Sequence, residues 1–442
     1  MWLTPFFPWI ARLGAFTYYR MRYDGGAVPR TGPVLLVANH PNSLLDPMLV
    51  AAAARRPVRF LAKAPLFADV KISWLIRAVG AIPVYRRTDD PAQMERNEEM
   101  FRAVHAALAD GAAVGIFPEG LSHDEPALAP LRTGAARIAL GAHALTGRPF
   151  PIVPVGLVFR QKDVFRSDAL VLVGQPVLWD DLAPLGANDD GAVRDLTGRI
   201  TEALRQITIN LENWEDQPLV DCAMRIWEAE RGASPDPGVR VARLSATTRI
   251  LAAVRLSEHP AGTGLMRDVE AHRRRLRRLG LRPAHLVSDV GLARSAGWAA
   301  RRIPLVMPLA GAVAIVGWLL FWAPYRLTGF VVERMRRPPD QRSSYKLLVG
   351  IAVYAVWVLG LAVAGAITFN VWVGLGVLLG VPALGMAGLV IRERWRGAWG
   401  DVRRFVLLRS RRPLVDTLRA TQRDLGVRLD ALYQDFAARG AA

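Results

Sequence analysis

The stretch Val34-Leu35-Leu36-Val37-Ala38-Asn39-His40-Pro41-Asn42-Ser43-Leu44-Leu45-Asp46-Pro47 decides how this chain is read. Val34–Ala38 is a short, unbroken apolar run rich in Val and Leu, which marks a buried strand rather than a surface helix. Asn39 and His40 follow where that strand emerges at its carboxyl end. Asp46-Pro47 then opens an alanine-rich helix, with Asp46 expected at the N-cap and Pro47 at the first helical position. The turn brings a histidine and a carboxylate together at the strand ends of an α/β sheet, where such folds bind their ligands. On these residues alone, His40 is equally well an ordinary loop histidine and Asp46 only a helix cap.

Outward from this stretch, short apolar runs alternate with helical ones. Further strands are predicted at 58–62, 81–84, 112–117, 152–159 and 169–173, and helices at 47–54, near 71–79, at 91–109 and at 133–145. Met94, Phe101, Val104 and Leu108 recur at the spacing of a helix lying on a sheet, and Gly111 suits its C-cap. Strands alternating with helices of this length predict an α/β fold: a mostly parallel sheet covered by helices, followed by a helical region and carboxyl-terminal membrane helices.

The remaining chain divides by composition. Residues 1–24 are aromatic and apolar, flanked by Arg12, Arg20 and Arg22, and read as an interfacial membrane-associating segment; nothing basic precedes the apolar run as in a cleaved signal peptide. Residues 25–187 form the α/β domain. Residues 188–300 form a helical accessory region that opens with one amphipathic helix over 189–214 and carries a basic run at Arg273–Arg278, read as facing an anionic membrane. Residues 301–395 are the membrane region: 303–325 and 347–391 hold no charged residue. The second stretch is long enough for a hairpin of two spans turning at Thr368-Phe369-Asn370, with small residues Gly360, Ala364, Gly374 and Gly380 for close packing. Arginines flank all three loops, so the positive-inside rule predicts that 303–325 re-enters or lies in the interface instead of crossing. Residues 396–442 are a basic cytosolic tail with an amphipathic helix.

The chain has 442 residues, 52% of them hydrophobic, and a net charge of +18. Such a surplus fits an acidic partner, and the apolar segments favour anionic lipid over nucleic acid. The single cysteine, Cys222, excludes an internal disulfide and is expected to pack as a small apolar residue. No spacing of histidines, cysteines and carboxylates suggests a metal site.

Three more strand ends join His40 and Asp46. Residues 80–87 are a strand ending in Arg86-Arg87; 116–120 are a strand ending in Glu119-Gly120, followed by Ser122-His123-Asp124; 151–156 are a proline-punctuated strand. Arginine suits phosphate through its fork of donors, and a histidine with a carboxylate partner suits removal of a proton from a hydroxyl. A site with both reads as acylation or phosphorylation of a hydroxyl-bearing phosphate ester, and the missing glycine-rich phosphate loop disfavours a nucleotide kinase.

Residues 30–176 resemble the glycerolipid acyltransferase superfamily, whose four blocks match in order: His40/Asp46, Gly80/Ile82/Arg86, Phe117–Gly120 and Pro154. Five residues instead of the usual four separate His40 from Asp46, and with the Ser122-His123-Asp124 block this is closest to the fungal-type glycerol-3-phosphate/dihydroxyacetone-phosphate branch. The resemblance implies that His40, oriented by Asp46, is the catalytic base; that Arg86 and Arg87 hold the acceptor's phosphate; that Glu119 positions its hydroxyls, with Gly120 permitting close backbone approach; and that Lys63 and Arg132 are secondary phosphate ligands. It implies transfer of a fatty acyl group from a thioester (acyl-CoA or acyl-carrier protein, with no resident cofactor) to the sn-1 hydroxyl of glycerol 3-phosphate, or to dihydroxyacetone phosphate. Acylation of lysophosphatidate at sn-2 shares all four blocks, and a non-catalytic lipid-binding membrane protein is the alternative of another class. The expected location is a bacterial-type inner membrane, with the acyltransferase domain on the cytoplasmic side.

Overall fold

The computed structural model describes residues 2, 5–70, 72–86, 95–232, 237–256, 260–287 and 306–438. It falls into two compact units, one of Met1–Gln217, Ser234–Arg249 and Pro338–Ser344, the other of Pro218–Ala233, Ile250–Arg337 and Tyr345–Ala442.

The first unit is built on a seven-stranded sheet: β1 (Arg20–Gly25), β2 (Val34–Ala38), β3 (Val58–Lys63), β4 (Ile82–Val84), β5 (Ala113–Ile116), β6 (Ile152–Phe159) and β7 (Asp168–Val173), in the order β1-β7-β6-β2-β5-β3-β4. Every pairing is parallel except β6 with β7. Strand β2 lies mid-sheet with all five side chains buried, the arrangement its unbroken apolar run predicts. Because β2 and β5 run in register with Val37 opposite Ile116, the segments after them leave the sheet side by side. The register alone therefore sets His40 next to the Phe117–Gly120 turn.

Helices α1 (Phe7–Tyr18), α2 (Leu45–Ala54), α3 (Ser73–Ala78), α4 (Asn97–Ala109), α5 (Gly134–Thr146) and α6 (Asp190–Ile207) complete this unit. The face of α4 buries Met100, Val104, Ala107 and Leu108 against the sheet; Met94, expected on it, lies outside the described residues. Helix α6 buries Ala192, Val193, Leu196, Ile200 and Leu204 in the same core, so that core runs past residue 187, where the domain was expected to end. The helix stops at Ile207 and does not continue to residue 214. The run Thr208-Ile209 pays the helix's β-branched penalty, and Leu211 N–H bonds Pro126 O instead. Residues 20–25 are strand β1, not part of an interfacial segment; pairing with β7 overrides a polar sequence with no apolar run to announce it. Helix α1 turns Ala11, Ala15 and Tyr18 inward and leaves Trp9 74% and Leu13 69% exposed.

Helices α7 (Gln217–Arg231), α8 (Pro237–Leu256) and α9 (Pro260–Leu279) follow in the chain, and the second unit is helical. Cys222 is buried as expected, beside Ala223, Ile226, Leu265, Val269 and Leu425, and burial pushes its thiol up to about 11. Among the described residues, three helices hold a stretch long and apolar enough to cross a membrane: α10 (Val306–Arg334), α11 (Pro339–Thr368) and α12 (Val371–Ser410). The turn between α11 and α12 falls at Phe369-Asn370, with Asn370 capping α12 by accepting from Val373 N–H at 3.0 Å. Of the small residues expected to pack closely, Gly374 does, since a Cβ there would stand 2.8 Å from Ala362 O; Gly360 and Gly380 face open space and Ala364 is exposed. Gly317 and Gly388 bring α10 against α12 instead. Helix α10 is unbroken through Pro324, so it does not turn back on itself as a re-entrant segment does.

Candidate active site

The strand ends carry the chemistry. Helix α2 begins at Leu45, one residue before Asp46, and no side chain caps it. Asp46 is not the N-cap expected: its carboxylate turns back into the β2–α2 turn, fully buried. There Oδ2 accepts from Asn42 N–H at 2.7 Å and meets His40 Nδ1 at 2.8 Å. With Nδ1–H donated to the carboxylate, the tautomer leaves His40 Nε2 with a free lone pair, the form a general base needs. The imidazole stacks on Phe117, ring centroids 4.0 Å apart, which fixes its plane. Burial pushes the Asp46 carboxyl above its ordinary value, against the opposing pull of His40, Asn42 N–H and Lys162. Its second oxygen, Oδ1, has no partner among the described residues.

Ser43 sits at φ +48°, in the left-handed region that a side chain occupies at a cost of about 1–3 kcal/mol. Its N–H donates to Ser122 Oγ at 3.0 Å, and the next N–H, of Leu44, donates to Ser344 Oγ at 3.0 Å. The turn thus contains one left-handed step flanked by two N–H groups that donate to serine hydroxyls.

Glu119 is buried and its carboxylate is fully engaged: Oε1 accepts from His40 N–H at 2.7 Å, and Oε2 accepts from Ala129 N–H at 2.8 Å and from His123 Nε2. The bond to Glu119 raises the His123 imidazole above its ordinary value. Oε1 therefore ties the Glu119 block to the His40 turn, and Oε2 ties it to Ala129 and His123. Gly120 follows at φ +74°, with Arg132 packed so closely that a Cβ would stand 2.7 Å from its Nε. Arg86, just past β4, donates Nη1–H to Gly120 O at 3.0 Å. Arg86, Arg132 and the Glu119-Gly120 turn thus form one cluster beside His40. Lys63 is exposed at the carboxyl end of β3, opposite Val84 in the neighbouring strand. Arg87 lies outside the described residues.

Several residues in the site are invisible to sequence spacing. Asn39 bridges β2 to β6 through both halves of its amide, donating to Leu157 O at 3.0 Å and accepting from Leu157 N–H at 2.7 Å. Lys162 donates to Pro41 O at 2.9 Å and pairs with Asp124. A cavity of about 390 Å³ opens on this side of the turn, lined by Asn39, Pro41, Glu119, His123, Lys162 and Trp214 among others. A polar residue directly before the histidine was the one available hint, for Asn39.

Residues 20–158 match the family model described as Acyltransferase. Over 146 residues, 32% of this chain and 20% of the relative, the sequence is 33% identical to glycerol-3-phosphate O-acyltransferase 2 of Saccharomyces cerevisiae. Over 269 residues, 58% of this chain and 34% of the relative, it is 26% identical to glycerol-3-phosphate O-acyltransferase 1 of the same yeast. The chain thus spans about a third or less of these relatives' length. The 1-acyl-sn-glycerophosphate acyltransferase PlsC of Thermotoga maritima covers 44% of this chain, and 75% of its own, at 17% identity and a TM-score of 0.33. The four ordered blocks, the parallel sheet that aligns them and the family match agree: residues 20–158 are an acyltransferase domain.

Proposed function

We propose that this protein transfers a fatty acyl group from a thioester to the sn-1 hydroxyl of glycerol 3-phosphate, with dihydroxyacetone phosphate as a second acceptor. The observation that carries the reading is the His40–Asp46 pair at 2.8 Å, set beside a turn on which Arg86 is already seated. In this reading His40 Nε2 removes the acceptor's hydroxyl proton as the oxygen attacks the thioester carbonyl. The tetrahedral intermediate then collapses, the carbon–sulfur bond breaks, and the thiol leaves with a proton. Base catalysis of this kind contributes about 10² to 10⁴ in rate. Asp46 holds the ring in the reactive tautomer and balances the imidazolium that forms.

Arg86 binds the acceptor's phosphate through its fork of donors, with Arg132, Lys63 and Arg87 as further cations. Glu119 acts through the backbone: it fixes His40 N–H and so the entry of the turn. The two yeast relatives, named for acylation of glycerol 3-phosphate, support the acceptor. The donor is acyl-CoA or acyl-carrier protein, and the domain works on the cytoplasmic side of a bacterial-type inner membrane, next to anionic lipid.

Wild-type protein and H40A, assayed in detergent with acyl-CoA against glycerol 3-phosphate, dihydroxyacetone phosphate and lysophosphatidate, test this. Lysophosphatidate formed from glycerol 3-phosphate by the wild type alone is the expected result. Turnover of lysophosphatidate only would move the reading to the sn-2 reaction. No turnover of any acceptor would leave a lipid-binding role.

A further inference from the structure

Asn42, between His40 and Asp46, is completely buried and is bonded directly to Asp46. Its N–H fixes Asp46 Oδ2 at 2.7 Å, the oxygen that also meets His40. Its side-chain amide donates to Tyr19 OH at 2.6 Å, and Tyr19 OH in turn donates to Lys162 O. Its side-chain oxygen accepts from Ser343 Oγ–H, 301 residues away in sequence. Ser344 Oγ accepts from Leu44 N–H at 3.0 Å, directly after the left-handed Ser43.

Ser343 and Ser344 are both buried in the first unit, within the segment Pro338–Ser344 at the start of α11. A left-handed serine persists only where its surroundings over-determine it. Here Ser122 and Ser344 hold the two N–H groups around it, and Ser343 holds the side chain just before it.

We infer that Ser343 and Ser344 are positioning residues for the His40–Asp46 pair: through Asn42 and Leu44 they hold the turn from His40 to Asp46 in the one conformation that seats Asp46 Oδ2 against His40 Nδ1. Neither serine touches substrate. Without them Ser43 relaxes out of the left-handed region, Asn42 N–H leaves Asp46, and the imidazole loses the partner that fixes its tautomer.

The kinetic part of the test rests on the acyltransferase reading; the spectroscopic part does not. Full-length wild type, S343A, S344A, the double variant and S344T are purified in detergent. For the single alanine variants, kcat for glycerol 3-phosphate falls about ten- to a hundredfold with KM within about twofold, because the acceptor's ligands are untouched. S344T, which keeps the hydroxyl, regains most of kcat. T248A, which removes a buried hydroxyl of the same unit far from the turn in sequence, leaves kcat unchanged.

Independently, ¹⁵N-histidine spectra at about pH 8, with the His40 signals identified by their loss in H40A, show Nδ1 carrying the proton in wild type and exchanging between both nitrogens in the serine variants. The inference is overturned if His40 keeps the Nδ1–H form in S343A and S344A, or if both keep wild-type kcat. If wild type turns over none of the acceptors, the functional reading falls and the nitrogen spectra still decide the positioning role. Should the double variant fail to fold, the single variants decide.

Discussion

Two residues in the site pull function and stability in opposite directions. Asp46 is buried with a carboxyl raised above its ordinary value, so the native state binds its proton more tightly than the unfolded chain does. Stability then falls as pH rises from about 4, the ordinary carboxylate value, through the raised native value, and the full cost is present above it. D46N is therefore expected to melt at the same temperature as wild type or higher at neutral pH. That advantage disappears below about pH 4, where the wild-type carboxyl is protonated in both states. Its kcat is expected to fall by about 10² to 10⁴, because an amide does not enforce the Nδ1–H tautomer. Melting curves across pH, beside kcat, check both halves; a D46N protein less stable at every pH would refute the first. Arg86 is the complementary case. R86A is expected to raise KM for glycerol 3-phosphate about ten- to a hundredfold, the worth of a charged hydrogen bond, with R86K intermediate because it keeps the charge and loses the fork. A KM unchanged in R86A would remove Arg86 from the phosphate site.

Among the elements, α10 poses the topological problem. It runs opposite to α12, with Gly311 against Trp395 and Gly385 against Phe321, and opposite to α11, with Phe321 stacked on Tyr354 and Gly350 near Thr328. Helices α11 and α12 are joined by a two-residue turn at Phe369-Asn370. Pro338–Ser344, which follows α10, is hydrogen-bonded to the catalytic turn and so lies on the same side of any membrane. A complete crossing by α10 would separate the two. We therefore expect α10 to lie in the interface and the α11–α12 hairpin to account for the crossings. Cysteine-accessibility reporters near Pro339 and in the 186–189 loop should react from the same side; opposite sides would refute the interfacial course.

At the scale of the whole molecule, the segment Pro338–Ser344 that opens α11 belongs to the first unit. A chain ended after Arg337 keeps every strand of the sheet but lacks Ser343 and Ser344. Its turnover should drop at least about tenfold even in detergent with a water-soluble short-chain thioester, where anchoring no longer matters. Activity equal to the full chain under those conditions would show that the segment serves anchoring alone. Phe6, just before α1, and Trp9 and Leu13 within it are exposed.

Much of this was legible in sequence because it depends on local pattern. The apolar run at Val34–Ala38, the alternation after it and the four ordered blocks fix a parallel sheet, since a buried strand and an amphipathic helix each leave a period in the chain. His40, Asp46, Arg86 and Gly120 are recognisable because a parallel sheet delivers its carboxyl ends to one edge. Strand β1 was not legible, because an edge strand held by backbone pairing needs no apolar run. The hydrogen bonds of Glu119 were not either: only tertiary contact brings His40 N–H, Ala129 N–H and His123 onto its carboxylate. Asp46 as helix cap was a sound local reading that Asn42 and His40 outbid, because a buried carboxylate goes to its strongest donors. The sequence by itself determined the sheet and the edge at which His40, Asp46 and Arg86 gather. Tertiary structure alone decided what holds them, because a hydrogen bond spanning 301 residues leaves no period, spacing or composition in the chain that makes it.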